Sequence, residues 1–206
     1  TTLAGLNTAS DDAITMTVTD AVTVAEFNTL DGKTSVGVIL TGGVSDAAAA
    51  YASTTGTATS GRTAIAAQDG DAALTVTDAA TVAQANSVAT ATTGTVQFSG
   101  GITDSADALG ADGNLTSGYN AARADDSDVN VIINTTPTIA ELNAIAGGTT
   151  GTTTAAVSGN KADLATLTTA SDDAITATVT DAVTVAEFST LDGKTSTNVI
   201  LQGGIS

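Results

Sequence analysis

Apolar and polar side chains alternate in short segments of this chain. Residues 14–18 place Ile, Met and Val at every second position between threonines, and residues 36–40 have a similar alternation. A two-residue period predicts β-strands with one buried face. Between these segments, Val24, Phe27 and Leu30 recur at helical spacing and predict a short amphipathic helix. The pattern therefore predicts strand, helix and strand in close succession.

The same pattern returns along the chain. Residues 172–206 repeat residues 11–45 at a constant shift of 161 residues, with 29 of 35 positions identical. Shorter units recur within this period at shifts of 58, 57 and 46 residues, and their approximate bounds are 11–68, 69–125, 126–171 and 172–206. Self-similarity at fixed spacing indicates a repeat architecture.

Each unit contains a start signal for its first helix. In a capping box, a Thr side chain and a Glu or Gln three residues later satisfy each other's backbone N–H groups. The four boxes are Thr23 with Glu26, Thr81 with Gln84, Thr138 with Glu141, and Thr184 with Glu187. A second short helix is predicted to begin at Ser45-Asp46, at Thr103-Asp104 and at Asn160, because these residues are favoured N-caps.

Strands joined through helices favour parallel pairing. The predicted fold class is α/β, a repeat solenoid with parallel β-strands on one side and short helices on the other. A parallel β-helix with short helical corners is the alternative. We expect residues 1–206 to form one continuous segment, interrupted by long surface loops at about 54–70 and 110–127, where Gly, Ser, Thr and Asp accumulate. Neither end resembles a capping repeat, so we expect further repeats or copies of the chain to stack head to tail.

Composition narrows the range of functions. The net charge is −17, with 22 acidic and five basic residues, which disfavours nucleic-acid binding. The absence of His and Cys removes the usual bases, nucleophiles and zinc ligands, so we predict that the chain is not an enzyme. No stretch of about 18 apolar residues is present, so membrane insertion is not expected.

Residues 75–109, TVTDAATVAQANSVATATTGTVQFSGGITDSADAL, carry a family resemblance. The stretch resembles the repeats of very large bacterial cell-surface proteins. These include giant repetitive surface proteins of marine cyanobacteria, one of which is needed for swimming motility. The resemblance implies an extracellular or cell-surface location and a structural role in a filament, surface layer or stalk. The alternative is an adhesin module that binds calcium or surface glycans.

Candidate metal ligands lie around the second long loop. The residues are Asp112, Asn114, Asp125, Asp126 and Asp128, and Asp69-Gly70-Asp71 ends the first loop. Oxygen ligands on flexible acidic loops suit calcium. EF-hand spacing and the GGxGxDxUx nonapeptide are absent, so a solvated loop is the competing interpretation and no cofactor is required.

A further set of carboxylates recurs where the first strand of a unit ends. Asp20, Asp78 and Asp181 share this position, and Thr135 replaces them in the third unit. We expect each carboxylate to cap the N–H groups of its own turn. A cation-binding ladder is the alternative, although Thr135 would interrupt it.

Overall fold

The computed structural model describes residues 5–206. The chain divides into two compact units, Thr1–Gly100 and Gly101–Ser206, where the sequence predicts one continuous segment. Both are α/β with parallel strands, in agreement with the predicted class.

The first unit contains two parallel sheets. Its elements are β1 (Met16–Val18), α1 (Val24–Asp31), β2 (Val38–Leu40), β3 (Val44–Asp46), α2 (Ala48–Tyr51), α3 (Ser60–Gln68), β4 (Leu74–Val76), α4 (Val82–Ala89) and β5 (Val96–Phe98). Strand β1 pairs with β2, and β4 lies between β3 and β5. A single bridge between Val22 and Val44 continues the pairing past the end of β1. Each strand is thus stacked on one from the previous turn of the chain.

The second unit is built on a five-stranded parallel sheet in the order β12-β11-β10-β9-β6. Its elements are β6 (Ile102–Asp104), α5 (Ala106–Leu109), β7 (Gly110–Ala111), β8 (Asn114–Leu115), α6 (Ser117–Asp125), β9 (Val131–Ile133), α7 (Ile139–Ala146), β10 (Thr153–Gly159), α8 (Lys161–Leu164), β11 (Ala174–Val179), α9 (Val185–Asp192) and β12 (Val199–Leu201). Strands β7 and β8 form a separate antiparallel hairpin.

The strands bury alternate side chains, as the two-residue period predicts. In β1, Met16 and Val18 are buried while Thr17 is exposed, and β10 and β11 continue the alternation over six or seven residues. Phe27 and Leu30 of α1 are fully buried. The core is thus made mainly of thin layers of aliphatic side chains, and the few aromatic residues among them, such as Phe27 and Tyr51, are fully buried.

The two predicted long loops contain secondary structure. Helix α3 lies within 54–70, and hairpin β7-β8 and helix α6 lie within 110–127. Each helix begins at a threonine whose hydroxyl accepts from the amide three residues later: Thr59 from Arg62 at 3.1 Å and Thr116 from Tyr119 at 3.4 Å. The loop prediction is therefore wrong for these parts, because their small polar residues include helix caps. Each helix buries only two residues, so its apolar pattern is weak.

The predicted second helices also need correction. Ser45 and Thr103 are not N-caps, because they lie in strands β3 and β6. Helix α2 begins after Ala47, which makes no side-chain cap, and α5 begins after Ser105. Asn160 does cap α8, accepting from the Asp163 amide at 2.9 Å. Parallel pairing continues past the Gly-Gly turn in β3 and β6, and this delays the helices.

Candidate functional site: polar joints between strand layers

All four capping boxes are present in the structure. The Thr amides of the boxes at Thr23, Thr81, Thr138 and Thr184 donate to the Glu or Gln side chain at 2.8, 3.0, 2.7 and 2.7 Å respectively. The backbone N–H of Thr23 lowers the pKa of Glu26, and the backbone N–H of Thr184, together with Lys161, lowers that of Glu187.

The second box also joins two parts of the first unit. Gln84 accepts from Thr81 within the box, and its Nε2 donates to the Ala52 carbonyl at 3.0 Å. The side chain is only 5% exposed. A glutamate could not donate this hydrogen bond, and its charge would be buried. The structure therefore explains why the box with Gln84 departs from glutamate.

The recurrent aspartates cap helices that precede them in the chain. Asp78 Oδ1 accepts from the Ala48 amide at 2.6 Å, and Asp181 Oδ1 accepts from the Lys161 amide at 2.7 Å. These amides belong to the first residues of α2 and α8. Thr135 Oγ1 does the same for the first amide of α5 at 2.9 Å. The expectation that these carboxylates cap their own turns is wrong for Asp78 and Asp181, since parallel stacking places the end of one strand above the preceding helix.

Thr135 therefore keeps this hydrogen bond between a strand end and the preceding helix, a contact between strand layers that we call a polar joint. A hydroxyl and a carboxylate oxygen can both accept from a helix amide, so a neutral residue fills the position. Asp20, at the same position in the first repeat, has no such helix partner among residues 5–206 and is exposed. The sequence indicates this position, because it recurs at spacings of 58, 57 and 46 residues. The helix amide that it binds could be identified only from the way in which the strand layers stack in the structure.

A second joint uses a threonine hydroxyl that the sequence analysis missed. Thr195 Oγ1 donates toward the Ile175 carbonyl at 2.6 Å and accepts from the Ile175 amide at 2.9 Å. Thr34 makes the matching bonds to Ile14 at 2.7 and 3.2 Å. Related hydroxyls bridge Thr92 to Ala72 and Thr149 to Val129, each at 2.7 Å. The four threonines again follow the 58, 57 and 46 spacing.

A Gly-Gly pair allows the layers to approach closely. A Cβ built on Gly42, Gly100 or Gly203 would overlap the backbone of the recurrent aspartate in the neighbouring strand layer. The second glycine of each pair has a φ of +74° to +77°, in the left-handed region that favours glycine. The pair thus fixes both the spacing of the layers and the turn before β3, β6 and the final residues.

The candidate calcium ligands fall in two places. Asp112, with a φ of +52°, and Gly113 form the two-residue turn of hairpin β7-β8, and Asn114 donates to the Asp112 carbonyl at 3.2 Å. Asp125 ends α6 and Asp126 follows as its C-cap, with Asp128 two residues later. Burial raises the pKa of Asp125. Across residues 5–206, no group of three or more carboxylates gathers in a metal-binding arrangement.

Asp69 and Asp71 form a closer acidic pair. Both line a cavity of about 230 Å³ with Ile39 and Leu40, and Asp69 accepts from the Leu40 amide at 2.5 Å. Burial, followed by the hydrogen bond and charge of Asp71, raises the pKa of Asp69. The arrangement can share a proton or attract a cation.

Comparisons with protein-family models, curated proteins and solved structures found no match. No helix among the described residues combines the length and the apolar character needed to cross a bilayer.

Proposed function

We propose that this chain is a structural repeat segment of an extracellular or cell-surface protein, a solenoid that works as part of a filament, surface layer or stalk and carries out no catalysis. The recurrence of the same polar joint in successive repeats supports this proposal most directly. Each joint connects a strand layer to the one before it, through an aspartate or threonine cap and a bridging threonine hydroxyl. Such joints fix a stacking geometry and leave the exterior free to vary.

The resemblance of residues 75–109 to repeats of large bacterial surface proteins supports the same role. An acidic exterior with only five basic residues also suits a surface exposed to salty water. Stacking neighbours would be further repeats of this type.

Electron microscopy of tandem arrays tests the proposal. In the proposed solenoid, one 161-residue period would hold six strand layers, whose strands begin near residues 16, 38, 74, 96, 131 and 153. Adjacent strands lie about 4.8 Å apart, so each added period should lengthen a solenoid by roughly 29 Å. Chains with one, two and three periods should give rods whose length grows linearly. Rounded particles that grow in all directions would refute the solenoid.

A calcium- or glycan-binding adhesin module is the second candidate. The close carboxylates of Asp69 and Asp71 favour it, because an acidic pair on a cavity can hold a cation. Thermal unfolding with added calcium and with a chelator separates the candidates. A calcium-dependent rise in Tm that Asp71→Asn abolishes would support the adhesin, whereas an unchanged Tm would count against it.

A further inference from the structure

The internal duplication shows one surface in two states, covered and uncovered. We define the downstream face of the second copy as Val185, Phe188, Val199 and Ile205. The matching residues of the first copy are Val24, Phe27, Val38 and Val44, and all four are buried. By contrast, Val185 is 69% and Ile205 is 62% exposed. The same sequence thus presents an uncovered apolar face at its second occurrence.

In the first copy, residues 46–73 lie over the matching face, and part of this segment packs against helix α1. Asp46 Oδ2 accepts from the Val24 amide at 3.0 Å and caps α1. Helix α3 crosses Val24 at Gly61, where an added Cβ would overlap the valine side chain. A segment that covers this face therefore needs a carboxylate that accepts from the first amide of the helix and a glycine where its own helix crosses the valine.

The cover also joins the strands. The Leu40 amide donates to the Asp69 carboxylate, and the Val44 amide donates to the Ala73 carbonyl at 2.9 Å. Strand β4 then pairs with β3 in parallel register, Val44 opposite Leu74. In the second copy, by contrast, β12 is an edge strand, and none of the described residues supplies counterparts of Asp46, Asp69 and Ala73.

We infer that the downstream face of the second copy binds a coil with the sequence pattern of residues 46–76. This inference rests on the proposed stacking function and specifies its partner. The coil supplies a leading carboxylate to the Val185 amide, a glycine opposite the Val185 side chain and a second carboxylate to the Leu201 amide. Its strand pairs with Ile205 in the register that Val44 shows. An unspecific apolar partner would leave the two amides without acceptors, which is costly once they are buried.

Hydrogen exchange on two forms of the full chain tests this assignment. One form is the 206-residue chain, and the other continues past Ser206 with a second copy of its own residues 46–100. In the shorter chain, the Val185 and Leu201 amides should exchange at least about tenfold faster than the matching Val24 and Leu40 amides. In the extended chain this difference should disappear.

A matched extension provides the control. It carries alanine in place of the appended counterparts of Asp46 and Asp69, and leucine in place of that of Gly61. This extension should leave the Val185 and Leu201 amides in fast exchange. Equal protection by both extensions would overturn the inference, as would a folded native extension that protects neither amide.

The same samples also show whether a second copy of the chain occupies the face and whether the strand layers stack at all. If the 206-residue chain dimerises in sedimentation experiments and Val185→Ser abolishes the dimer, a second copy occupies the face and the inference is wrong. The Val24 and Leu40 amides serve as the reference for stacking itself. Fast exchange at these two amides would contradict the proposed function, whereas their protection without an effect of the extension contradicts only the partner assignment.

Discussion

The bridging hydroxyl of Thr195 offers the sharpest test of the joints. We expect Thr195→Val, which keeps the shape of the side chain and removes its oxygen, to destabilise the second unit. The hydroxyl is in a residue only 8% exposed, and it contacts both the amide and the carbonyl of Ile175. Valine would leave these two backbone groups in β11 without this partner.

The magnitude follows from those bonds. A net hydrogen bond contributes about 0.5–1.5 kcal/mol, and a buried group left without a partner costs about 1–3 kcal/mol. We therefore expect Thr195→Val to lower the free energy of unfolding by about 2–3 kcal/mol. Thr195→Ser keeps the oxygen and loses one methyl group, so it should cost about 1 kcal/mol.

Urea unfolding followed by circular dichroism, with hydrogen exchange at the Ile175 amide, measures the effect. Thr154→Val is the matched control, since Thr154 is an exposed residue of β10 and the substitution should change stability by no more than about 0.5 kcal/mol. Thr34→Val repeats the test in the first unit, where the same bonds occur. If Thr195→Val and Thr154→Val have equal effects, the hydroxyl does not hold the layers together.

Three other substitutions, two of them with a matched control substitution, test the remaining contacts by urea unfolding. Asp181→Ala removes the acceptor of the Lys161 amide at the start of α8 while the Asn160 cap remains, and it should cost about 1 kcal/mol. Asp20→Ala, with no helix to cap among the described residues, should be nearly neutral, and equal costs would contradict the capping role. Gly100→Ala forces a Cβ into a neighbouring backbone and should cost about 1–3 kcal/mol, while Gly193→Ala, in right-handed helical conformation, should be tolerated; the reverse order would refute the close approach. Burial raises the pKa of Asp69, so the contribution of this carboxyl group to stability is present below the unfolded pKa of 3.8 and is lost as pH rises through the folded pKa. Asp69→Asn should therefore stabilise the protein at pH 7 and lose this advantage in acid. An unchanged free energy of unfolding at pH 7 would refute this prediction.

Local signals in the sequence predicted much of the secondary structure. The capping box at Thr23 involves side chains three residues apart, so its geometry is set by neighbours in the chain. The alternation through Met16 and Val18 likewise reports a property of one strand. Both features are set within a single helix or strand, so they can be predicted without knowing which residues pack against that element.

The joints could not be predicted in the same way, because their partners are distant in sequence. Asp78 and its helix amide are 30 residues apart, and Thr195 and Ile175 are 20 apart. The spacing of the repeats identified the position of Asp78 but not its partner, whereas the position of Thr195 was missed altogether. Helix α3 was missed for another reason: its polar sequence buries only Gly61 and Ile65, so its apolar period is too weak to stand out from a loop.

The charge balance of the chain follows from the chemistry of the joints. Stacking layers with 22 acidic and five basic residues would bring like charges together, and five basic side chains are too few to pair with most of the carboxylates. The carboxylates at the joints instead accept from backbone amides, chiefly at the starts of helices, where the partial positive charge of the helix favours them. Backbone donors are available in every layer whatever its side chains. A repeat of this design can therefore stack without basic residues, and its exterior can remain strongly acidic.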